Sequence, residues 1–325
     1  MPTATPTVTH PPALTHPRTH PRTGIVAGDA ASAPTVAELM NQGRHSWSFE
    51  FFPPKTDEGE RQLWQTIRQL ESSGPTFVSV TYGAGGTTQD RTVRLIERIA
   101  AETTLTPVGH LTCVGASRAE LRHVIGAYVA SGVRNILALR GDPPGGPGAP
   151  WTPHPEGLHN ADELVALARS LGDVCVGVAA FPDGHPESPA REEDALALAR
   201  KADAGAEFAI TQFFFEVAEY DDLVQRAARH GCTIPVIPGI LPITNVSQLV
   251  RFAELSGTPI PDAVLQRLHP VADDPDAVRR VGVEMATDLC RDLIDGGAPG
   301  LHLYTLNRST ATREIYANLD LEHRP

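Results

Sequence analysis

The chain has 325 residues, with 27 Lys plus Arg against 39 Asp plus Glu, a formal net charge of -12 and four cysteines. That acidic balance argues against nucleic-acid binding driven by phosphate attraction, and Cys113, Cys175, Cys232 and Cys290 are too few and too dispersed for a disulfide framework or a CxxC metal clip. No apolar run reaches the roughly 18 to 20 residues that span a bilayer, and the amino terminus lacks the apolar core of a secretory signal, so a soluble cytoplasmic protein is expected, with no membrane partner.

Residues 1–34 hold seven Pro and seven Thr with few large apolar side chains, a composition that cannot offset its own ordering entropy. This segment reads as a disordered extension. Its three His would also suit a metal, and Arg18 and Arg22, with no acid before Asp29, are a feature shared with organelle transit peptides. The folded body, 35–325, opens with a short helix at Thr35-Val-Ala-Glu-Leu-Met. At 41% hydrophobic residues the chain can bury a substantial core.

Eight apolar, β-rich runs follow, at 48–52, 77–83, 108–113, 135–141, 175–181, 208–215, 235–241 and 301–306. Between or beside them lie amphipathic stretches at 60–72, 89–102, 118–131, 161–170, 192–204, 217–230, 247–255 and 277–296. Spacings such as Leu121-Val124-Ile125 give a helix one buried face. Near-continuous apolar strands alternating with helices predict a parallel sheet with covered faces, and eight right-handed crossovers predict a (β/α)8 TIM barrel. An open doubly wound sheet has the same periodicity and is the alternative.

In a barrel the carboxyl ends of the strands carry the chemistry. The first run, Phe49-Glu50-Phe51-Phe52-Pro53-Pro54, puts Ser48, Glu50 and Phe52 on one side and Phe49 and Phe51 on the other. If the first side is the lumen, desolvation equips Glu50 to donate a proton; the competing reading is a core Glu paired with an Arg. The second run ends in Thr81-Tyr82-Gly83-Ala84-Gly85-Gly86, a loop that admits close ligand approach but is neither a dinucleotide fingerprint nor a P-loop. His110 and Cys113 lie in the third run, and Arg140-Gly141-Asp142 ends the fourth. The Pro/Gly-rich stretch 143–157 is a candidate lid, with His154 and His159 as loop residues. His185 and Glu187 are too few for a metal site. Gln212, among aromatics, suits the edge of a flat heterocycle or a structural role, and Arg308 suits a carboxylate, a phosphate or a surface ion pair.

Together, Phe49-Glu50-Phe51-Phe52-Pro53-Pro54, Thr81-Tyr82-Gly83-Ala84-Gly85-Gly86, His110-Leu-Thr-Cys113, Leu139-Arg140-Gly141-Asp142, His185-Pro186-Glu187, Thr211-Gln212-Phe213-Phe214-Phe215, Pro238-Gly239-Ile240-Leu241-Pro242 and Tyr304-Thr305-Leu306-Asn307-Arg308 resemble the methylenetetrahydrofolate reductase family, in family order over residues 48–319. The resemblance implies a barrel with noncovalent FAD. NADH or NADPH reduces the flavin and leaves, and 5,10-methylenetetrahydrofolate then takes its place and becomes 5-methyltetrahydrofolate in a ping-pong cycle that feeds one-carbon metabolism and methionine synthesis. By the same resemblance Glu50 is the general acid, Asp142 the negative charge beside flavin and folate, and Gln212 a contact of both substrates. Gln248 and Arg308 match folate contacts, and Phe252 an aromatic near the alternating substrate.

The matching FAD positions are Thr81, His110, Arg140, Gly141, Asp142, Ala161, His185, Asp194, Arg200 and Lys201. Phe181 and Asn160 stand where some bacterial relatives of this kind have Tyr, and the chain ends too soon after the barrel to include the regulatory domain of longer ones. A lyase would need a strand-end Lys or a metal cluster, whereas Lys55 lies beyond the first strand and Lys201 on a helix. A catalytically idle barrel would be expected to have lost Glu50, Asp142 or Gln212. Homo-oligomers are compatible with all three classes.

Overall fold

The structure is a computed structural model describing residues 33–43, 45–82, 86–143 and 149–320. The tail 1–32, the Gly83-Ala84-Gly85 turn and residues 144–148 of the candidate lid lie outside the described residues. Strands β1 (Ser46–Phe51), β2 (Phe77–Val80), β3 (Pro107–Thr112), β4 (Asn135–Leu139), β5 (Cys175–Ala180), β6 (Phe208–Thr211), β7 (Val236–Ile237), β8 (Gly239–Ile240) and β9 (Gly300–Tyr304) form one sheet. Its order is β7-β6-β5-β4-β3-β2-β1-β9-β8, and every pairing is parallel.

The single run expected over 235–241 is split into β7 and β8 by Pro238. Proline has no N–H for a ladder, while its carbonyl accepts the His302 N–H at 2.9 Å. The segment therefore pairs with β6 before the proline and with β9 after it. That handover closes the ring, so the expected (β/α)8 barrel holds and the open sheet does not.

Helices α2 (Asp57–Glu71), α3 (Gly86–Glu102), α4 (Arg118–Ala130), α5 (Ala161–Leu171), α6 (Arg191–Asp203) and α7 (Val217–Arg229) cover the outside in turn. Between β8 and β9 come α8 (Val246–Ser256), α9 (Asp262–Leu268), a 3-10 turn at His269–Val271 and α10 (Pro275–Asp295), and α11 (Thr310–Leu319) follows β9. Thr56 caps α2 by accepting the Gly59 N–H, and Leu63, Ile67 and Leu70 on one face pack into the cluster that holds Phe49 and Phe51. Those two phenylalanines are the outward side of β1.

The opposite, inward side forms a separate core of Phe77, Val108, Leu137, Cys175, Phe208, Ile210 and Ile237. Val36 of the short first helix, α1 (Val36–Met40), joins it, plugging the amino-terminal end of the lumen. A Thr35/Glu38 capping box starts this helix, and the Val36 N–H donates to Asn135 Oδ1 at 2.8 Å. Just ahead of this helix, Arg134 donates to the Ala33 carbonyl at 2.7 Å. Gly177 makes room within the lumen: a Cβ there would lie 2.3 Å from the Phe208 ring.

Candidate active site

The inward side of β1 carries Ser48 and Glu50 into the barrel, on the one face that strand alternation gives them both. Glu50 is 6% exposed. Its Oε2 lies 3.5 Å from His110 Nε2 on β3 and 3.5 Å from His302 Nε2 on β9, and Ser79 Oγ donates to it from β2 at 3.4 Å. The core partners of this carboxyl are imidazoles, and among the described residues no Arg is paired with it.

Ser48 Oγ donates to the Leu301 carbonyl at 3.1 Å and lies 2.8 Å from His302 Nδ1, while Ser79 Oγ lies 3.4 Å from His302 Nε2, so two hydroxyls hold the ring with Nε2 facing Glu50. Burial pulls the His110 imidazole down to about 4, outweighing the raising effect of Glu50, so it is neutral at pH 7; its Nε2 is buried without a hydrogen bond. The Tyr304 phenol, pushed well up by burial and then by Glu50, donates to the Thr211 carbonyl at 2.6 Å.

Immediately beyond Glu50 the chain is fastened to the turn after β9. Thr305 Oγ1 donates to the Glu50 carbonyl at 2.6 Å, and the Asn307 side-chain amide accepts from the Phe52 N–H at 2.9 Å and donates to its carbonyl at 2.8 Å. Leu306 and Asn307 both adopt left-handed backbone, with φ of 51° and 58°. Such strain costs roughly 1–3 kcal/mol per residue and persists only where surrounding contacts hold it.

A second group gathers where β4 and β5 end. Arg140 makes a two-pronged ion pair with Glu187 at 2.7 and 2.9 Å and lies over the Trp151 ring, 5.2 Å from its centroid. Trp151 Nε1 donates to the Gly141 carbonyl at 3.1 Å, so the described part of the candidate lid packs onto this rim. Gly141 has φ +83°, and a Cβ there would come within 2.7 Å of Val114. The His185 N–H donates to Asp194 Oδ2 at 3.0 Å and Ser188 Oγ to Asp194 Oδ1 at 2.7 Å, which makes buried Asp194 an organiser of the loop. Burial, then the Arg140 charge, lowers the His185 imidazole, and its ring meets Phe181 edge-on at 4.9 Å. Lys201 Nζ donates to the Ala179 carbonyl at 2.8 Å, and burial lowers its ammonium to about 8.

Thr81 is half-buried, its N–H donating to the Phe51 carbonyl. Ala161 is buried at the start of α5, where Asn160 makes no side-chain cap; Asp142 and Arg200 are exposed. Gln212 is half-buried, its Oε1 accepting the Phe213 N–H at 3.0 Å. Exposed Gln248 and half-buried Phe252 stand one turn apart on α8, and Arg308 is exposed after the left-handed turn. His154 Nδ1 accepts the Glu156 N–H, as suits a loop residue, and no metal-binding cluster occurs among the described residues. Nor is any described helix long and apolar enough to cross a membrane.

The sequence reading gave no role to Ser79 or His302, and it quoted Thr305 and Asn307 only as part of a motif. The alternation His302/Tyr304 on β9 mirrors Ser48/Glu50 on β1, and that was the available signal for His302.

A family model described as Methylenetetrahydrofolate reductase matches residues 35–320. The 5,10-methylenetetrahydrofolate reductase of Escherichia coli strain K12 is 42% identical over 281 residues, 86% of this chain and 92% of that protein. Methylenetetrahydrofolate reductase (NADH) 1 of Zea mays is 34% identical over 297 residues, covering 88% of this chain and 50% of the maize protein. Among solved structures, an uncharacterized protein from Clostridium thermocellum that binds two copies of 5-methyl-5,6,7,8-tetrahydrofolic acid shares the fold, with a TM-score of 0.57 at 14% identity, over 87% of this chain and 96% of that one. With the match running from the first helix through α11, the chain belongs to the methylenetetrahydrofolate reductase family.

Proposed function

We propose that the protein reduces 5,10-methylenetetrahydrofolate to 5-methyltetrahydrofolate with NADH or NADPH, through noncovalently bound FAD in a ping-pong cycle. The observation that carries this reading is Glu50, a buried carboxyl between two imidazoles in the lumen of a barrel of this family. The β4–β5 rim fits a dinucleotide. It gathers the cations Arg140 and Lys201, the His185 imidazole and the aromatic Phe181, and the buried Nε2 of His110 lacks a hydrogen-bond partner. Thr81, His110, Arg140, Gly141, Asp142, Ala161, His185, Asp194, Arg200 and Lys201 would hold the cofactor, with Arg200 and Lys201 supplying positive charge to its pyrophosphate.

Bound FAD supplies the hydride acceptor for the nicotinamide and the hydride donor for the folate. Glu50 gives a proton from its carboxyl to the imidazolidine ring of the folate, which opens to an electrophilic iminium cation. A carboxyl that donates must first hold its proton. Neutral His110 does not oppose that protonation as an imidazolium would. Asp142 favours the iminium by its negative charge. Gln212 presents its amide NH2 to each substrate in turn, and Gln248, Phe252 and Arg308 hold the folate. Methionine synthesis is the expected use of the methyl product.

The test is anaerobic spectroscopy of the purified protein. It is expected to be yellow, to bleach with NADH or NADPH and to recover its colour with methylenetetrahydrofolate. A colourless protein that gains no activity from added FAD contradicts the proposal.

A further inference from the structure

We propose that Asn307 is a positioning residue for the folate half of the reaction, holding Glu50 and Arg308 on one rigid unit; this rests on the reading of Glu50 as proton donor. The β1–β9 ladder ends with Glu50 opposite Tyr304. One residue further, both the N–H and the Oγ1 of Thr305 donate to the Glu50 carbonyl, at 3.3 and 2.6 Å. The next pairing position on β1 is Phe52, followed by Pro53 and Pro54, which have no N–H to offer. By then the β9 backbone has turned away through Leu306 and Asn307 at φ 51° and 58°.

The Asn307 amide fills the vacated position. A carboxamide presents an acceptor and a donor side by side, as a peptide group does, and here it bonds both the N–H and the carbonyl of Phe52. Asn is also among the residues that tolerate left-handed backbone. A third tie comes from α2, where Thr66 Oγ1 donates to the Asn307 carbonyl at 3.0 Å. The β1 end is thus fixed at residue 50 by Thr305 and at residue 52 by Asn307, and Arg308 is the next residue of the same turn, its N–H bonded to the Thr305 carbonyl at 2.9 Å. One clamp sets the backbones that carry the acid and Arg308, which makes the placing of the proton donor against bound folate depend on Asn307.

Two variants test this. Asn307→Asp keeps the acceptor, shape and left-handed tolerance but loses the donor to the Phe52 carbonyl; Asn307→Gly loses both bonds while easing the backbone. In single-turnover experiments, methylenetetrahydrofolate should restore flavin absorbance at least about tenfold more slowly in Asn307→Gly, and by a smaller factor in Asn307→Asp. NAD(P)H-driven bleaching and FAD content should stay within about twofold of wild type, because the two residues that the clamp ties, Glu50 and Arg308, serve the folate half-reaction. Independently of turnover, the Phe52 amide should lose hydrogen-exchange protection in Asn307→Gly.

Parallel loss of both half-reactions would assign Asn307 a merely structural role and overturn the proposal, as would variants that keep both rates and the Phe52 protection. A wild-type protein that turns over neither substrate overturns the functional reading together with this one. A working wild type with unaltered variants overturns this one alone.

Discussion

The two halves of the barrel lumen are built on the same strands yet differ in kind. Moving two residues toward the carboxyl end, β2 changes its inward residue from Phe77 to Ser79 and β3 from Val108 to His110. The amino-terminal half, with Val36, Cys175 and Phe208, is an apolar core held mainly by packing. The other half contains Glu50, His110, His302 and Ser79, groups that are costly to bury unless they bond one another. His302 sits at the boundary, its ring stacked on Phe77 at 5.8 Å while its Nε2 faces Ser79 and Glu50. One half holds the ring together, and the other spends part of that stability on a polar cluster suited to proton transfer.

Separate effects on stability and chemistry would sharpen that division. Phe208→Ala, in the apolar half, should cost about 3–5 kcal/mol of unfolding free energy in denaturant titrations. The ratio of the two half-reaction rates should be that of wild type in the folded protein; a tenfold change in the ratio would break the division.

His110 makes the reverse prediction. Its imidazole titrates near 4 when folded and near 6.5 when unfolded. Between those values the unfolded chain binds the extra proton, so stability is full above pH 6.5, falls as the pH drops toward 4 and levels off below. The difference is on the order of 3 kcal/mol. His185, lowered in the same direction, adds to the decline, so the His110 share is the part that disappears in His110→Asn. Equal slopes for wild type and variant would show that His110 is not buried in its neutral form.

Gly177→Ala gives the smallest expected effect, about 1–3 kcal/mol, from forcing a methyl against the Phe208 ring. Unchanged stability would mean that the ring shifts freely.

The barrel was legible because apolar strand runs and amphipathic helices alternate along the whole body, and the shared face of Ser48 and Glu50 because side chains alternate along a strand, although alternation does not say which face is the lumen. Closure was harder to read, since Pro238 sits inside what looks like a single run and its effect depends on both neighbours, β6 and β9. The neighbours of Glu50 were less legible still. His302 reaches it only through the β1–β9 pairing, which joins the two ends of the body. Asn307 signals nothing locally, because its task is set by the backbone of Phe52. Helix α11 did carry a signal, with Ala311, Ile315 and Leu319 spaced along one face. At the β4–β5 rim the sequence named the charged residues, while the pairing of Arg140 with Glu187 and the use of both Asp194 oxygens by its own loop depended on how that loop folds back.

The role of Glu50 as proton donor is tested most directly by a single-turnover comparison of wild type and Glu50→Gln. With NADH or NADPH alone, flavin absorbance should bleach in the variant at a rate within a few-fold of wild type. With methylenetetrahydrofolate added afterwards, its return should slow by about 10²–10⁴-fold, the usual contribution of a positioned general acid. Recovery of the colour at the wild-type rate would contradict the assignment.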